Sequence, residues 1–374
     1  MSQRELYIDR LRSVMTALVI MHHTAITYGA SGGWFYYELK PSGSVSSSVL
    51  TMFCATNQAY FMGFFFLLAG YFTPGSLERK GYVRFLCDRF LRLGVPLLLF
   101  IVFLGPLTAA IVDAAEGRSF WGTFAWLWHH QRIINGPMWF AQALLMFTLA
   151  YCAWRAVAGA PLSQTERTKR PIPSTIWWVV SAVAVGVGAL AIRQIVPVGK
   201  NVIGLQIGYF SSYIFLFALG IAAWRHDWIA RLEFKHARMW IRGLAITVPL
   251  LPAAILLARS SQGSGKANFG GGLGWPAILY AFWEPLVAWG IIAAWLLLFR
   301  AKMNSPSRIW EWLGRRAYAV YIIHPPVLVG VALLLHGWVA PALIKFVVVG
   351  ALSCAATWLV ADPLVRIPGV RGVV

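Results

Sequence analysis

Long apolar runs separated by short basic segments dominate this chain. Ten windows of mostly apolar residues lie at 13–30, 50–72, 92–112, 137–157, 174–196, 206–224, 241–258, 275–299, 317–335 and 340–361. Each falls in the roughly 17–25-residue range that crosses a bilayer as a helix. The first is the least apolar, because it carries the adjacent His22 and His23. The pattern predicts an all-α polytopic integral membrane protein with ten transmembrane helices. The connecting segments are short and show no internal repeat or low-complexity tract. Residues 1–374 therefore read as a single transmembrane domain with no appended soluble domain.

Charge adds orientation. Lys and Arg number 32 against 13 Asp and Glu, a formal charge of +19. In a soluble protein that excess would point to nucleic acid. Here 24 of the 32 fall at the two chain ends and in the even-numbered loops, and 8 in or beside the odd loops: Lys40, Arg118, Arg132, Arg193, Lys200, Arg259, Lys266 and Lys345. Such alternation is the positive-inside pattern, with both termini cytoplasmic. No nucleic-acid partner is expected. Residues 1–30 have the basic start of a signal peptide, but Gly29-Ala30-Ser31-Gly32 is a poor cleavage site, and removal would leave nine spans. The segment is therefore expected to stay. Composition agrees: 59% hydrophobic and 12% charged, against roughly 25% charged in soluble chains. A soluble domain and a disordered chain are both excluded. The four cysteines are scattered, with no metal-ligand spacing, so neither a disulfide nor a metal is expected. Composition is silent on oligomeric state.

Ionisable residues inside spans are costly and are functional candidates by default. His23 lies eleven residues past Arg12, roughly 16 Å along a helix and near mid-membrane. It is a candidate general base or a histidine satisfied by a neighbouring helix, and His22 shares both readings. His324, before Pro325 and Pro326, is either a second candidate or a histidine associated with a proline kink, because prolines free helix carbonyls. Glu284, before Pro285, would orient a histidine, bind a sugar hydroxyl, or snorkel outward. Arg84, Arg89 and Arg92 line the inner mouth of the third span. If helical, Arg89 and Arg92 share a face, suited to phosphate or to ordinary positive-inside flanking. Trp139 and Phe140 begin the fourth span, as an aromatic belt or a sugar-stacking pair. Loop one (Pro41 to Ser48) and loop seven (Gly263, Gly265, Gly270 to Gly272, Gly274) are Gly/Ser-rich candidates for mobile outer covers. This layout suits either an enzyme with an anionic donor entering from the cytoplasm or a proton-coupled transporter of a small anionic or sugar-like solute.

Five segments, in order, resemble the membrane acyltransferase-3 family. Arg12, ten residues, then His23 is similar to its first-span signature. Phe64 to Phe72 resembles its phenylalanine-rich run, with Ala69 where serine is usual. Arg89-Phe90-Leu91-Arg92 resembles its Arg-x-x-Arg, and Pro137-Met138-Trp139-Phe140 its His-Leu-Trp-Phe, with Pro137 replacing histidine. Gly314 to His324 resembles its Gly-x-x-Ser-Tyr-x-x-Tyr-x-x-His, with Ala317 replacing serine. Arg4-Glu5, Gly70-Tyr71-Phe72 and Val365-Arg366-Ile367-Pro368 are similar to the periplasmic-glucan succinyltransferase branch. The resemblance implies O-acyl transfer from cytoplasmic acyl-CoA (acetyl- or succinyl-CoA) to a hydroxyl of an extracytoplasmic carbohydrate, at the bacterial inner membrane. It implies His23, with Glu284 or His324, as the catalytic group. Arg12, Arg84, Arg89 and Arg92 would hold the CoA phosphates, and Trp139 and Phe140 the acceptor.

Overall fold

The computed structural model describes residues 6–130, 132–159, 168–261 and 267–373. Arg4, Glu5, Arg167, Gly263, Gly265, Lys266 and the Arg259 side chain lie outside the described residues. Within them every regular element is a helix: α1 (Leu6–Thr27), α2 (Val45–Arg89), α3 (Val95–Leu99), α4 (Gly105–Ala115), α5 (Phe120–His129), α6 (Trp139–Val157), α7 (Thr175–Ile195), α8 (Phe210–His226), α9 (Trp228–Arg231), α10 (Phe234–Ser261), α11 (Trp275–Lys302), α12 (Arg308–Leu334), α13 (Ala342–Leu364) and α14 (Val370–Val373). The chain is an all-α polytopic membrane protein.

The described residues hold eight helical stretches long and apolar enough to cross a membrane. One of them, Val45–Ala115, is 71 residues long and contains the expected second and third crossings. Gly81 divides it, with a non-helical φ of 70° and ψ of 169°. The expected first span falls outside the eight. Helix α1 starts at Leu6 rather than 13 and carries Asp9, Arg10 and Arg12 in its first turns, which shortens its apolar part. Helix α12 likewise begins at Arg308 rather than 317. Hydropathy marks the apolar stretch, whereas helical hydrogen bonding runs on past it. The expected third span is broken by π turns at Phe90–Gly94 and Phe100–Leu104. In a π turn the bonds run i to i+5, so Arg89 and Arg92 lose the shared α-helical face predicted from their spacing.

The chain forms two compact units. The first comprises residues 1–57, 88–145 and 303–374. In it α12 packs against α1, α4 and α13, around fully buried Ile20, Ala25, Val320, Leu328 and Val349. A Cβ at Gly350 would lie 2.5 Å from Met21 Sδ, so α13 approaches α1 closely there. Asp362 ties α13 to α12 by pairing with Arg316 and accepting from Trp312 Nε1 at 3.1 Å. At the far end of α13, Lys345 pairs with Glu38 in loop one, both side chains buried.

The second unit comprises residues 58–87 and 146–302. Here α11 packs between α7 and α10. Helices α2 and α8 meet backbone to backbone: a Cβ on Gly70 would sit 2.1 Å from the Phe217 carbonyl oxygen, and one on Gly220 2.2 Å from that of Leu67. Small residues that admit such contact drive helix pairing where no hydrophobic effect operates between helices. The glycine of the phenylalanine-rich motif is thus a crossing point. Gly70→Ala is expected to destabilise the protein by about 1–3 kcal/mol, seen as a lower unfolding midpoint in detergent. Gly243→Ala, where nothing lies within 4 Å of the added carbon, should leave the midpoint unchanged or raise it.

Candidate active site

Three residues of the Tyr-x-x-Tyr-x-x-His motif lie at i, i+3 and i+6 on α12, along one stripe of the helix. Each reaches a different element of the first unit. Tyr318 donates to the Arg92 carbonyl at 2.7 Å. Tyr321 donates to the Pro137 carbonyl. His324 meets His23 of α1, with His23 Nδ1 3.0 Å from His324 Nε2. The motif therefore fixes the mouth of the third span, the start of α6 and α1 against α12.

Pro325 explains the tautomers. With no N–H of its own, it leaves the Tyr321 carbonyl, four residues back, without its helical donor. His324 Nδ1 takes that place at 2.8 Å. A carbonyl only accepts, so His324 Nδ1 carries the hydrogen and its Nε2 is a bare acceptor. His23 Nδ1 must then donate to it, which leaves His23 Nε2 with a free lone pair. The result is an imidazole base whose developing positive charge is stabilised by a second, oriented imidazole, the usual arrangement of a base and its orienting partner.

Loop one completes the site. Trp34 stacks on His23 with centroids 3.8 Å apart and planes 8° apart, and lies 5.9 Å from the His324 ring at 5°. Three rings are thus nearly parallel. Trp34 was not among the sequence candidates; the signal available was the aromatic run Trp34-Phe35-Tyr36-Tyr37 just before the Gly/Ser-rich Pro41 to Ser48. The part that stacks on His23 is Trp34, not the Pro41 to Ser48 stretch expected as a mobile cover, and the connection between α1 and α2 is anchored. Glu38 and Leu39 donate their backbone N–H groups to the Thr27 carbonyl at 3.0 and 3.1 Å. Ser47 Oγ donates to the Gly29 carbonyl at 2.6 Å, and Tyr36 bonds His336 at 3.0 Å.

Among the sequence candidates, Phe140 joins this group, edge-on to Tyr321 at 6.3 Å, with Trp139 beside it at 6.5 Å. His22 presents its edge to His23 at 5.6 Å; His23, not His22, pairs with His324. The Arg92 backbone meets α12 six residues before His324, about 9 Å along the helix, while its side chain is exposed and that of Arg89 half-buried. Arg12 sits on α1, 3.7 Å from Asp9. Arg84 and Glu284 belong to the second unit. Glu284, expected to orient a histidine, bind a sugar hydroxyl or snorkel outward, pairs with Arg193 of α7, and both are buried. Arg193 had been counted with an outer loop. An unpaired cation inside span 174–196 and an unpaired acid inside span 275–299 were the signal, because charges at membrane depth pair with one another.

The family model for the Acyltransferase domain matches residues 5–362. The chain belongs to the acyltransferase-3 family. Neither the curated proteins nor the solved structures yield a match. Membership makes this membrane protein an acyltransferase, a transferase of groups other than aminoacyl groups, and decides against the transporter that buried histidines by themselves also suit. Within an acyltransferase-3 protein, a freed carbonyl that sets a tautomer has a measurable consequence. Pro325→Ala supplies an N–H that competes for the Tyr321 carbonyl. It should lower kcat for acyl transfer by up to about 10²-fold, the cost typical of a misplaced catalytic group. A variant with unchanged kcat would show that this bond does not orient the pair.

Proposed function

We propose that this protein moves an acyl group from cytoplasmic acyl-CoA to a hydroxyl of an extracytoplasmic carbohydrate, as a multi-pass enzyme of the bacterial inner membrane. The observation that carries the reading is the His23–His324 pair, with a free lone pair on His23 Nε2, in a chain of an acyltransferase family. In this mechanism His23 Nε2 takes the proton of the acceptor hydroxyl as its oxygen attacks the thioester carbonyl. A C–O bond forms and the carbonyl becomes a tetrahedral oxyanion. Collapse breaks the C–S bond, and the departing CoA sulfur takes the proton from His23. His324 Nε2 accepts from His23 Nδ1 throughout and so stabilises the transient imidazolium. Trp34 closes one face of the base against water.

Arg12, Arg89 and Arg92 are the proposed phosphate contacts of the donor, since guanidinium groups match phosphate oxygens geometrically. Phe140 and Trp139 are proposed to pack on the acceptor. The acyl group is proposed to be small, acetyl or succinyl. Val365 to Pro368 support the succinyl branch, whereas Gly70 is already accounted for by its packing role.

Four measurements test this. Vesicles loaded with labelled acyl-CoA should transfer the label with the wild-type protein, and His23→Ala should reduce transfer by about 10²–10⁴-fold. His324→Gln, whose amide oxygen still accepts from His23, should retain more activity than His324→Leu; equal losses would remove His324 from an orienting role. Arg89→Ala and Arg92→Ala should raise the donor KM with little change in kcat. Mass spectrometry of envelope carbohydrates with and without the gene should reveal the acyl mass and its acceptor.

A further inference from the structure

Trp34 lies on a tight tip of the connection between α1 and α2, and the residues around that tip set its position over His23. Gly32 brings the tip onto α1: a Cβ there would lie 2.6 Å from Ile26 Cδ1, three residues past His23. The phenol of Tyr37 closes the tip on itself. Its hydroxyl accepts from the Trp34 backbone N–H at 2.8 Å and donates to the Gly32 carbonyl at 2.9 Å. A phenol both donates and accepts, so one oxygen bridges the residue docked on α1 and the residue stacked on His23. Phe35 meets the Trp34 ring edge-on at 5.2 Å and packs toward Gly136, where an added Cβ would lie 3.4 Å from the Phe35 ring. Tyr37 itself is 37% exposed, so its ring adds little to the core.

His324 is fully buried, whereas His23 keeps some exposure, so water reaches the neighbourhood of the base. Water is the chemical competitor of an acceptor hydroxyl, because a neutral imidazole activates either O–H group. Discrimination against water therefore depends on what covers the base. Here the cover is the indole face, 3.8 Å from the His23 ring and 8° from parallel. We infer that Tyr37 is a positioning residue for acyl transfer: its hydroxyl holds Trp34 flat on His23 and so directs the acyl group to the carbohydrate hydroxyl rather than to water. The inference rests on the proposed role of His23 as base. In the competing step water attacks the thioester carbonyl and His23 takes its proton. The C–S bond breaks, and the proton passes to the departing CoA sulfur, giving a free carboxylic acid and the CoA thiol. Loosening the tip lets the indole lift from the ring, and this wasted turnover rises. Both hydrogen bonds of Tyr37 are open to solvent. In Tyr37→Phe water serves the two freed backbone groups, so the chain still folds and the effect falls on the position of the tip.

The test counts two products from the same proteoliposomes. Vesicles carrying the full chain are loaded with labelled acetyl-CoA or succinyl-CoA and given periplasmic glucan outside. Labelled carboxylic acid and labelled glucan are measured separately, and their ratio does not depend on how much of the protein is folded. Tyr37→Phe should raise the ratio of hydrolysis to transfer about 3–10-fold, the population factor of one modest hydrogen bond. Trp34→Ala should raise it at least as far and Trp34→Phe less, since a phenyl ring still covers the base. Tyr37→Phe should add nothing in the Trp34→Ala background. An unchanged ratio in Tyr37→Phe, with both products falling together, would overturn the inference. So would an equal rise in the Trp34→Ala background, because Tyr37 would then act without Trp34. Wild-type transfer with an unmoved ratio in the variant counts against the inference alone. A wild-type protein that forms neither product from either donor counts against the proposed function, and the inference falls with it.

Discussion

At hydrocarbon depth no water is present to satisfy a stray carbonyl or ring nitrogen, so each buried polar atom dictates what packs beside it. The Tyr321 carbonyl, released by Pro325, is the atom on which the candidate active site depends. It orders His324, whose bare Nε2 orders His23, whose remaining nitrogen is then left basic. An unsatisfied buried acceptor costs roughly 1–3 kcal/mol, enough to hold one tautomer strongly over the other. The geometry of the histidine pair is here the result of one missing N–H.

The same rule accounts for the ion pairs that tie helices and loops together. Lys345 with Glu38 and Arg193 with Glu284 are buried at both ends. Removing one partner of such a pair typically costs about 3–5 kcal/mol, because a charge is left in low dielectric. Each pair joins segments distant in sequence, so it selects one packing among several that apolar contacts alone would tolerate. Glycines serve the complementary purpose. At Gly70 and Gly220 they bring two backbones together where lipid and protein are equally apolar and only close contact favours association.

Much of the architecture was legible in the residues. Apolar windows located the crossings, because the length of an apolar run is set by bilayer thickness. Their edges were less legible. Helices α1, α10 and α12 run beyond their apolar windows, since a helix continues into water as long as its backbone bonds remain favourable. The π turns at Phe90–Gly94 and Phe100–Leu104 were not legible at all, although Gly94, Pro96, Gly105 and Pro106 mark the stretch as irregular.

For the site, the residue types His23 and His324 and the freed carbonyl beside Pro325 were available from the chain alone, because burial cost and proline chemistry are local. The tertiary structure decided which histidine of the His22-His23 pair meets another histidine, that its partner is His324 rather than Glu284, and that Trp34 stacks on it. Those are choices among partners hundreds of residues apart. A linear reading sees that a buried polar group needs a partner, but only the packing of helices determines which one stands within 3 Å.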